Sequence, residues 1–405
     1  MERKIGWLRF SGLIIGPILG SGIILIPPLV RDTAGGWSLT AWVVICVLGL
    51  AFAYVFSYLS MMFPGEGGVS NAIRHALGER ARVLSSVYLM GAGLFGPAAV
   101  LLVAEKYGNP WGAFPPFLFE LVTLTVCAGL LLGSITSIGR AALILSSVAA
   151  VLLLSGSVLT LIFHSRIVPV QEPFDIKVFG KALQLLFWCI VGWEVIGSFS
   201  GEIRDPEKTY VRAAMFSAAV ITAVSLAVAG ALQYASPAAA DVAGLLRPVA
   251  GSLSGLLLGV LTVMLCINAF ISFVGSISRL AVSLAESGTL PAVFSARTGG
   301  GAPYVAISAM FAVHLVQLLL VNTGIMSIDV LVAVANTFFL LNALTGIFAA
   351  AVIFRNWWLK GLSVLLAGCF IAILCFSSVY AAAFGLVLAF FILGRAGRMK
   401  PEFNI

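Results

Sequence analysis

Hydrophobic residues along the chain form long runs that are separated by short polar stretches. Each run holds roughly 20 residues, enough for a helix to cross a hydrocarbon core of about 30 Å. The pattern predicts an all-α polytopic membrane protein with twelve transmembrane helices. We expect these helices near residues 8–30, 38–62, 83–104, 117–134, 140–163, 178–200, 211–234, 252–285, 303–321, 327–354, 357–376 and 378–394.

Two of these predicted helices, the first and the sixth, contain residues that interrupt a helix. Residues 13–29 read LIIGPILGSGIILIPPL, and residues 185–206 read LLFWCIVGWEVIGSFSGEIRDP. The sixth helix comes five helices after the first, so the two run in opposite directions through the membrane. Interrupted helices at corresponding places of two halves are typical of inverted-repeat transporters with a binding site at the bilayer midplane.

The interruption in the first helix suits an anion. An unwound stretch at Gly20, Ser21 and Gly22 would free backbone N–H groups, and the next half-helix, from about Ile24, would point its positive end at the gap. Unpaired donors and the helix dipole together bind carboxylates. The alternative is that these glycines merely allow close helix packing. The two prolines that follow favour binding, because packing does not require them.

The interruption in the sixth helix suits a cation. A break near Val191, Gly192 and Trp193 would leave the carbonyls of the first half-helix unpaired at a negative end. An ammonium group fits there. The two breaks together would hold an amino acid zwitterion mainly by backbone groups.

Composition and charge agree with this picture. Hydrophobic residues make up 61% of the 405 residues and charged residues 10%, and the mean hydropathy is +1.11. A soluble domain carries about a quarter charged residues. One set of loops and both tails hold 17 of the 23 Lys and Arg residues, which predicts that both termini are cytoplasmic. The net charge of +7 thus reflects the basic cytoplasmic loops of a membrane protein, and it predicts no nucleic-acid partner.

The short loops leave no room for a soluble domain, so the function must lie among the helices. The sequence shows no pattern of catalytic side chains and no metal-ligand spacing. We therefore expect no enzyme, no cofactor and no metal. The six cysteines all fall in predicted helices, which predicts buried free thiols.

Four segments resemble the amino acid–polyamine–organocation (APC) transporter superfamily in order and spacing: GPILGSGIILIPP, FPGEGGVSNAIRHALGE, FWCIVGWEVIGSFSGEIRDPEKTYVRA and SRLAVSLAESGTLP. The resemblance covers roughly residues 8–355. It implies a five-plus-five inverted-repeat (LeuT-like) core in a bacterial plasma membrane, with discontinuous helices 1 and 6 and peripheral helices 11 and 12. The implied units are 1–163, 178–355 and 356–405. Among subgroups, the chain looks most like bacterial exporters of methionine and branched-chain amino acids.

The resemblance also implies which residues hold the α-amino and α-carboxyl groups of the substrate. They are Gly20, Ser21, Gly22 and Ile23 in helix 1, and Trp188, Ile190, Val191 and Gly192 in helix 6. Trp188 would cap the substrate, and Trp193 would act in gating. For both tryptophans the alternative is simple packing or anchoring.

Two acidic residues are candidates for gating or coupling. Glu194 lies at membrane depth, where a charged carboxylate costs free energy unless it is paired, hydrated or protonated. It is either a proton-sensitive switch or a cap for N–H groups freed by the break. Glu202 would join a cytoplasmic gate with Arg204 or Arg279, with simple solvation as the alternative.

The predicted wall for the substrate side chain is neutral. The candidates are Gly91, Gly93, Leu94, Phe95, Trp188, Cys266, Asn268, Ala269 and Asn336. Asn268 and Asn336 could hydrogen-bond the substrate or each other, and a role in linking helices is favoured for both. An unpaired charge would be penalised there, so a neutral, apolar amino acid fits best. Helix 5 lacks the lysine that some family members carry. Ser272 and Ser276 could build a sodium site, but serine is common in packed membrane helices.

These features predict a secondary active transporter for neutral, hydrophobic amino acids that works by alternating access. Efflux or exchange, linked to protons rather than sodium, is favoured, while the direction of net flux and the coupling ion stay open. A membrane sensor or a non-transporting subunit that binds an amino acid is the alternative. The oligomeric state stays open.

Overall fold

The computed structural model of the chain describes residues 5–64, 68–133, 135–163, 173–196, 203–234 and 241–394. These residues are almost entirely helical. In a bilayer every backbone polar group needs an internal partner, and a helix supplies it within one segment. The helices are α1 Trp7–Leu19, α2 Gly22–Ala34, α3 Ser38–Met62, α4 Val69–Leu77, α5 Glu79–Gly108, α6 Pro116–Leu131, α7 Ile135–Phe163, α8 Ile176–Phe187, α9 Trp193–Ile196, α10 Pro206–Tyr234, α11 Val242–Ala250, α12 Ser254–Glu286, α13 Tyr304–Asn322, α14 Ile328–Ile353, α15 Trp357–Leu374 and α16 Val379–Gly394.

These helices account for the twelve predicted crossings. Eight described segments are long and apolar enough to span a membrane, and the first, Trp7–Met62, contains two crossings. The shorter apolar helices α6 and α16 and the interrupted pair α8–α9 complete the set. Helices α4 and α11 are short connecting helices. The all-α architecture and the interruptions in the first and sixth crossings are confirmed.

Helix α5 lies at the centre of the bundle and packs against α12 and α14. Helix α1 packs against α7, α10 and α12, and α3 packs against α10. Helices α15 and α16 lie at the edge, and much of their surface is exposed. The large side chains buried in this packing include Trp42, Phe10, Phe52 and Phe187.

The start of α1 is tied to the start of α10. Ile5 pairs with Ile203 in a short parallel bridge, where Arg204 N–H donates to the Ile5 carbonyl at 2.9 Å. The Arg212 guanidinium lies 4.2 Å from the centre of the Trp7 ring, a cation–π distance. These contacts hold one end of the first crossing against the seventh.

The cysteines follow the prediction in part. Cys46, Cys127, Cys189 and Cys266 are buried free thiols. Cys369 is half-buried, and Cys375 is exposed because it follows the last residue of α15 rather than lying inside a packed helix.

Candidate functional site

The first crossing is broken between α1 and α2. Gly20 takes a φ of +24°, a conformation that favours glycine, and its N–H makes the last α1 bond, to Gly16 at 2.7 Å. The helix resumes at Gly22, two residues earlier than expected. Within the described residues, the N–H groups of Ser21, Gly22 and Ile23 make no regular hydrogen bond to a backbone carbonyl. The positive end of α2 therefore carries free donors, as the sequence predicts.

The sixth crossing is broken between α8 and α9. The N–H groups of residues 188–190 donate to carbonyls three residues earlier, at 2.9–3.2 Å, and α8 ends there. Gly192 takes a φ of +126°, and α9 begins at Trp193. In the described chain, the carbonyls of Trp188 and Cys189 accept no regular backbone hydrogen bond. The break thus offers free acceptors.

The Gln184 carbonyl, which the tightened end of α8 also frees, has a side-chain partner. Asn336 of α14 donates its Nδ2 to this carbonyl at 2.6 Å. Asn336 was a candidate for the substrate wall, with a role in linking helices favoured, and it does link α14 to the first half of the broken helix. The sequence contains no signal for this pairing, because the two residues are 152 positions apart.

The two breaks meet directly. A Cβ atom added at Gly22 would lie 3.1 Å from both Cys189 Sγ and Trp188 Cδ1. A Cβ atom at Gly192 would lie 2.9 Å from Ile18 Cγ1. Free N–H groups at the start of α2 therefore lie beside the segment that carries free carbonyls, and glycine keeps this approach open.

The Trp188 side chain fills the space beside the breaks. Its indole lies against Gly22, and its Cη2 atom is 3.5 Å from the position of a Cβ at Gly96 of α5. Its ring meets Phe339 of α14 edge-on, with 6.5 Å between ring centres. Sequence reasoning missed Gly96 and Phe339. The glycine spacing 91, 93, 96 in α5 was the available signal for Gly96.

Ile190 and Trp193 face a different region. With Trp42, Cys46 and Gly49 of α3 they line a cavity of about 10 Å³, which holds about one water molecule. The Ile190 side chain packs on Gly49, where an added Cβ would lie 2.8 Å from Ile190 Cγ2. The side chain of Ile190 thus points to α3, so a role at the break would fall to its backbone.

Glu194 lies inside the second break and is buried. Its Oε2 accepts a hydrogen bond from the Gly192 N–H at 3.2 Å. Its Oε1 is also buried and has no partner among the described residues. This geometry supports the cap that the sequence suggested and leaves one oxygen available for a proton. Glu202 lies outside the described residues.

The predicted wall divides into two groups. Gly91 and Gly93 allow close helix packing, against Phe338 and Ile277 respectively. Asn268 donates to Ser146 of α7 at 3.1 Å and so links α12 to α7 beside Gly16. These residues hold helices together rather than facing Trp188.

The other group of predicted wall residues includes one residue that lies beside a break. A Cβ at Gly20 would meet Ala269 Cβ at 3.3 Å, so Ala269 does lie beside the first break. Cys266 is buried on α12, and Leu94 and Phe95 are half-buried on α5. No cluster of three metal-ligating side chains occurs among the described residues.

Comparisons with known proteins agree with this architecture. The family described as "Amino acid permease" matches residues 5–404. The L-methionine/branched-chain amino acid exporter YjeH of Escherichia coli K12 is 29% identical over 228 residues, and this match spans about half of each protein, 53% of this chain and 52% of the exporter. The uncharacterized amino acid permease YecA of Bacillus subtilis is 27% identical and covers 81% of this chain and 80% of its own length.

A solved structure shares the fold. The crystal structure of MhsT in complex with L-phenylalanine superposes with a TM-score of 0.66 at 14% identity, over 94% of this chain and all of that one. At this identity the likeness concerns the fold alone. It confirms the predicted LeuT-like class, with discontinuous first and sixth crossings.

Proposed function

Because the chain belongs to the amino acid permease family, we propose that it is a secondary active transporter of neutral, hydrophobic amino acids of the methionine and branched-chain type. Family membership confirms the coarser predictions, namely a multi-pass membrane transporter and not an enzyme. The finer assignment draws on the substrate in the name of a 29% identical relative and on the chemistry of the two breaks.

The observation that carries the proposal is the meeting of free donors and free acceptors at Gly22 and Trp188. The substrate carboxylate binds the N–H groups of residues 21–23, where the dipole of α2 adds a positive end. The ammonium group binds carbonyls in residues 188–191, at the negative end of α8. Gly20 and Gly192 supply the backbone conformations that leave these groups unpaired.

The substrate side chain is neutral and apolar in this proposal. The Trp188 ring lies beside Gly22, Gly96 and Phe339, and Ala269 lies beside Gly20. A charged side chain placed among these groups would lose its hydration without gaining a partner. Trp188 must move for a large substrate to enter, which gives it a capping role.

Transport is linked to protons at Glu194 in this proposal. A carboxylate with one buried, unpartnered oxygen is costly at membrane depth, and a proton on Oε1 removes the charge while Oε2 keeps its bond to Gly192. A sodium-linked cycle is the alternative, because the buried Ser272 hydroxyl on α12 also has no partner among the described residues. Imposed gradients of each ion separate the two.

Alternating access would move the broken crossings with α3 and α10 against α5–α7 and α12–α14. The inverted repeats would occupy residues 1–163 and 178–355, with 356–405 outside them. Both termini would be cytoplasmic, because that side carries the excess of Lys and Arg. The proposed direction is efflux, on the model of the relative named as an exporter, and exchange is the alternative mode.

Counterflow in proteoliposomes tests the proposal. Uptake of labelled leucine should depend on internal leucine, isoleucine, valine or methionine, and internal arginine or glutamate should not support it. If the purified protein binds leucine in a thermal-shift assay but exchanges no amino acid, the sensor alternative replaces the transporter.

A further inference from the structure

Pro97 interrupts the backbone hydrogen bonding of α5, the helix that packs at the centre of the bundle. Proline has no N–H, so the carbonyl four residues earlier, that of Gly93, loses its normal donor. A buried carbonyl without a donor is unfavourable at membrane depth. The chain must supply a donor from elsewhere.

His314 of α13 supplies it. Its Nε2 lies 3.2 Å from the Gly93 oxygen, and its side chain is fully buried. A carbonyl can only accept, so Nε2 carries the proton and donates. Nδ1 is then an acceptor, and it has no partner among the described residues. The ring edge-packs on Phe270 of α12, with 5.3 Å between ring centres.

The same stretch of α5 forms one side of the candidate site. Gly96 lies one turn from Gly93, and a Cβ atom added to it would lie 3.5 Å from Trp188 Cη2. Gly93 packs so closely on Ile277 that α5 has little freedom to shift toward α12. His314 thus holds α5 at the Gly93 carbonyl, while Gly96, one turn further on, faces the substrate cap.

We propose that His314 is a positioning residue for substrate binding, which completes the α5 backbone at the carbonyl freed by Pro97 and so fixes Gly96 against Trp188. The role in binding rests on the proposed function, whereas the hydrogen bond does not. Neither His314 nor Gly93 has a side chain that would touch the substrate in this proposal. The pairing therefore acts through the position of α5.

A double-mutant cycle tests the hydrogen bond. His314→Leu removes the donor, and Pro97→Ala restores a backbone N–H to the Gly93 carbonyl. In the purified full chain in detergent, we expect His314→Leu to lower the unfolding temperature, and to lower it by less than half as much when Pro97→Ala is present. His314→Gln, which keeps an N–H at a similar reach, should retain most of the stability.

Pro248→Ala in the connecting helix α11 is the matched control, because it replaces a helical proline that is exposed and far along the chain from α5. Pro248→Ala should not reduce the fall in unfolding temperature that His314→Leu causes. The proposal would be overturned if His314→Leu lowered the unfolding temperature equally with Pro97 and with Pro97→Ala. It would also be overturned if His314→Gln lowered the unfolding temperature as much as His314→Leu does.

Counterflow separates positioning from plain stability. His314→Leu should raise the KM for leucine at least fivefold and lower the maximal rate per inserted protein less than twofold, and His314→Gln should restore the KM. A KM unchanged by His314→Leu would overturn the positioning role. Failure of the unsubstituted protein to exchange any amino acid would refute the proposed function instead, and the unfolding cycle would still decide the hydrogen bond.

Discussion

Replacing Gly22 by alanine is the smallest change that tests the proposed carboxylate site. The added Cβ would lie 3.1 Å from both Cys189 Sγ and Trp188 Cδ1. Favourable contacts between such atoms lie at about 3.5–4.0 Å. Both side chains must therefore move by a few tenths of an ångström, and the methyl group takes space beside the free N–H groups.

The expected cost follows from this geometry. Extra methyl groups in a packed site typically cost about 1–3 kcal/mol. A factor of ten in affinity corresponds to about 1.4 kcal/mol. If the cost falls on the bound state, Gly22→Ala raises the KM for leucine by about 5- to 150-fold. Gly22→Leu, which is much larger, should abolish transport while the protein still inserts.

Counterflow of labelled leucine at equal protein density measures this KM. Gly368→Ala is the matched control, because a Cβ at this α15 glycine meets no atom within 4 Å. Its KM should equal that of the unsubstituted protein. A KM for Gly22→Ala within twofold of the unsubstituted value would refute the placement of the carboxylate at Gly22.

Three further substitutions probe the breaks. Glu194→Gln keeps an oxygen for the Gly192 N–H, so exchange should persist while its pH dependence flattens; an unchanged pH profile would leave Glu194 as a cap alone. Gly192→Ala forces a side chain into a φ of +126° and should destabilise the fold by about 1–3 kcal/mol of backbone strain. Differential scanning calorimetry should show a lower unfolding temperature, and an unchanged one would contradict the strain. Asn336→Leu removes the cap on Gln184 and should cost about 0.6–1.7 kcal/mol, again read from unfolding; no loss would mean that the freed carbonyl finds another donor.

The membrane crossings and their interruptions could be predicted because both depend on residues that are close together in the sequence. Apolar runs define the helices, and in a bilayer few other structures are possible. Gly20 and Gly192 take φ values that other residues rarely adopt, so their presence inside apolar runs indicated the breaks. The expected start of the second half-helix, at about Ile24, was late by two residues, because Gly22 continues into the helix and Ser21 precedes it.

The neighbours of the site could not be predicted in the same way. Which face of a long apolar helix meets which partner is decided by tertiary packing, and a uniformly apolar helix gives little periodic signal. Asn268 was therefore placed among the candidate wall residues, although the role favoured for it, a link between helices, is the one that its bond to Ser146 on α7 supports. Conversely, Gly96 and Phe339 were missed because only the packed structure brings them to Trp188.

The central claim is that backbone groups of the two breaks hold both ends of an amino acid zwitterion. Its most direct test is competition against exchange of labelled leucine by two analogues that each lack one end. These are 4-methylpentanoate, without the amino group, and 3-methylbutan-1-amine, without the carboxylate. We predict that neither competes at concentrations where unlabelled leucine abolishes the signal. Competition by either analogue as strong as that by leucine would contradict the two-break site.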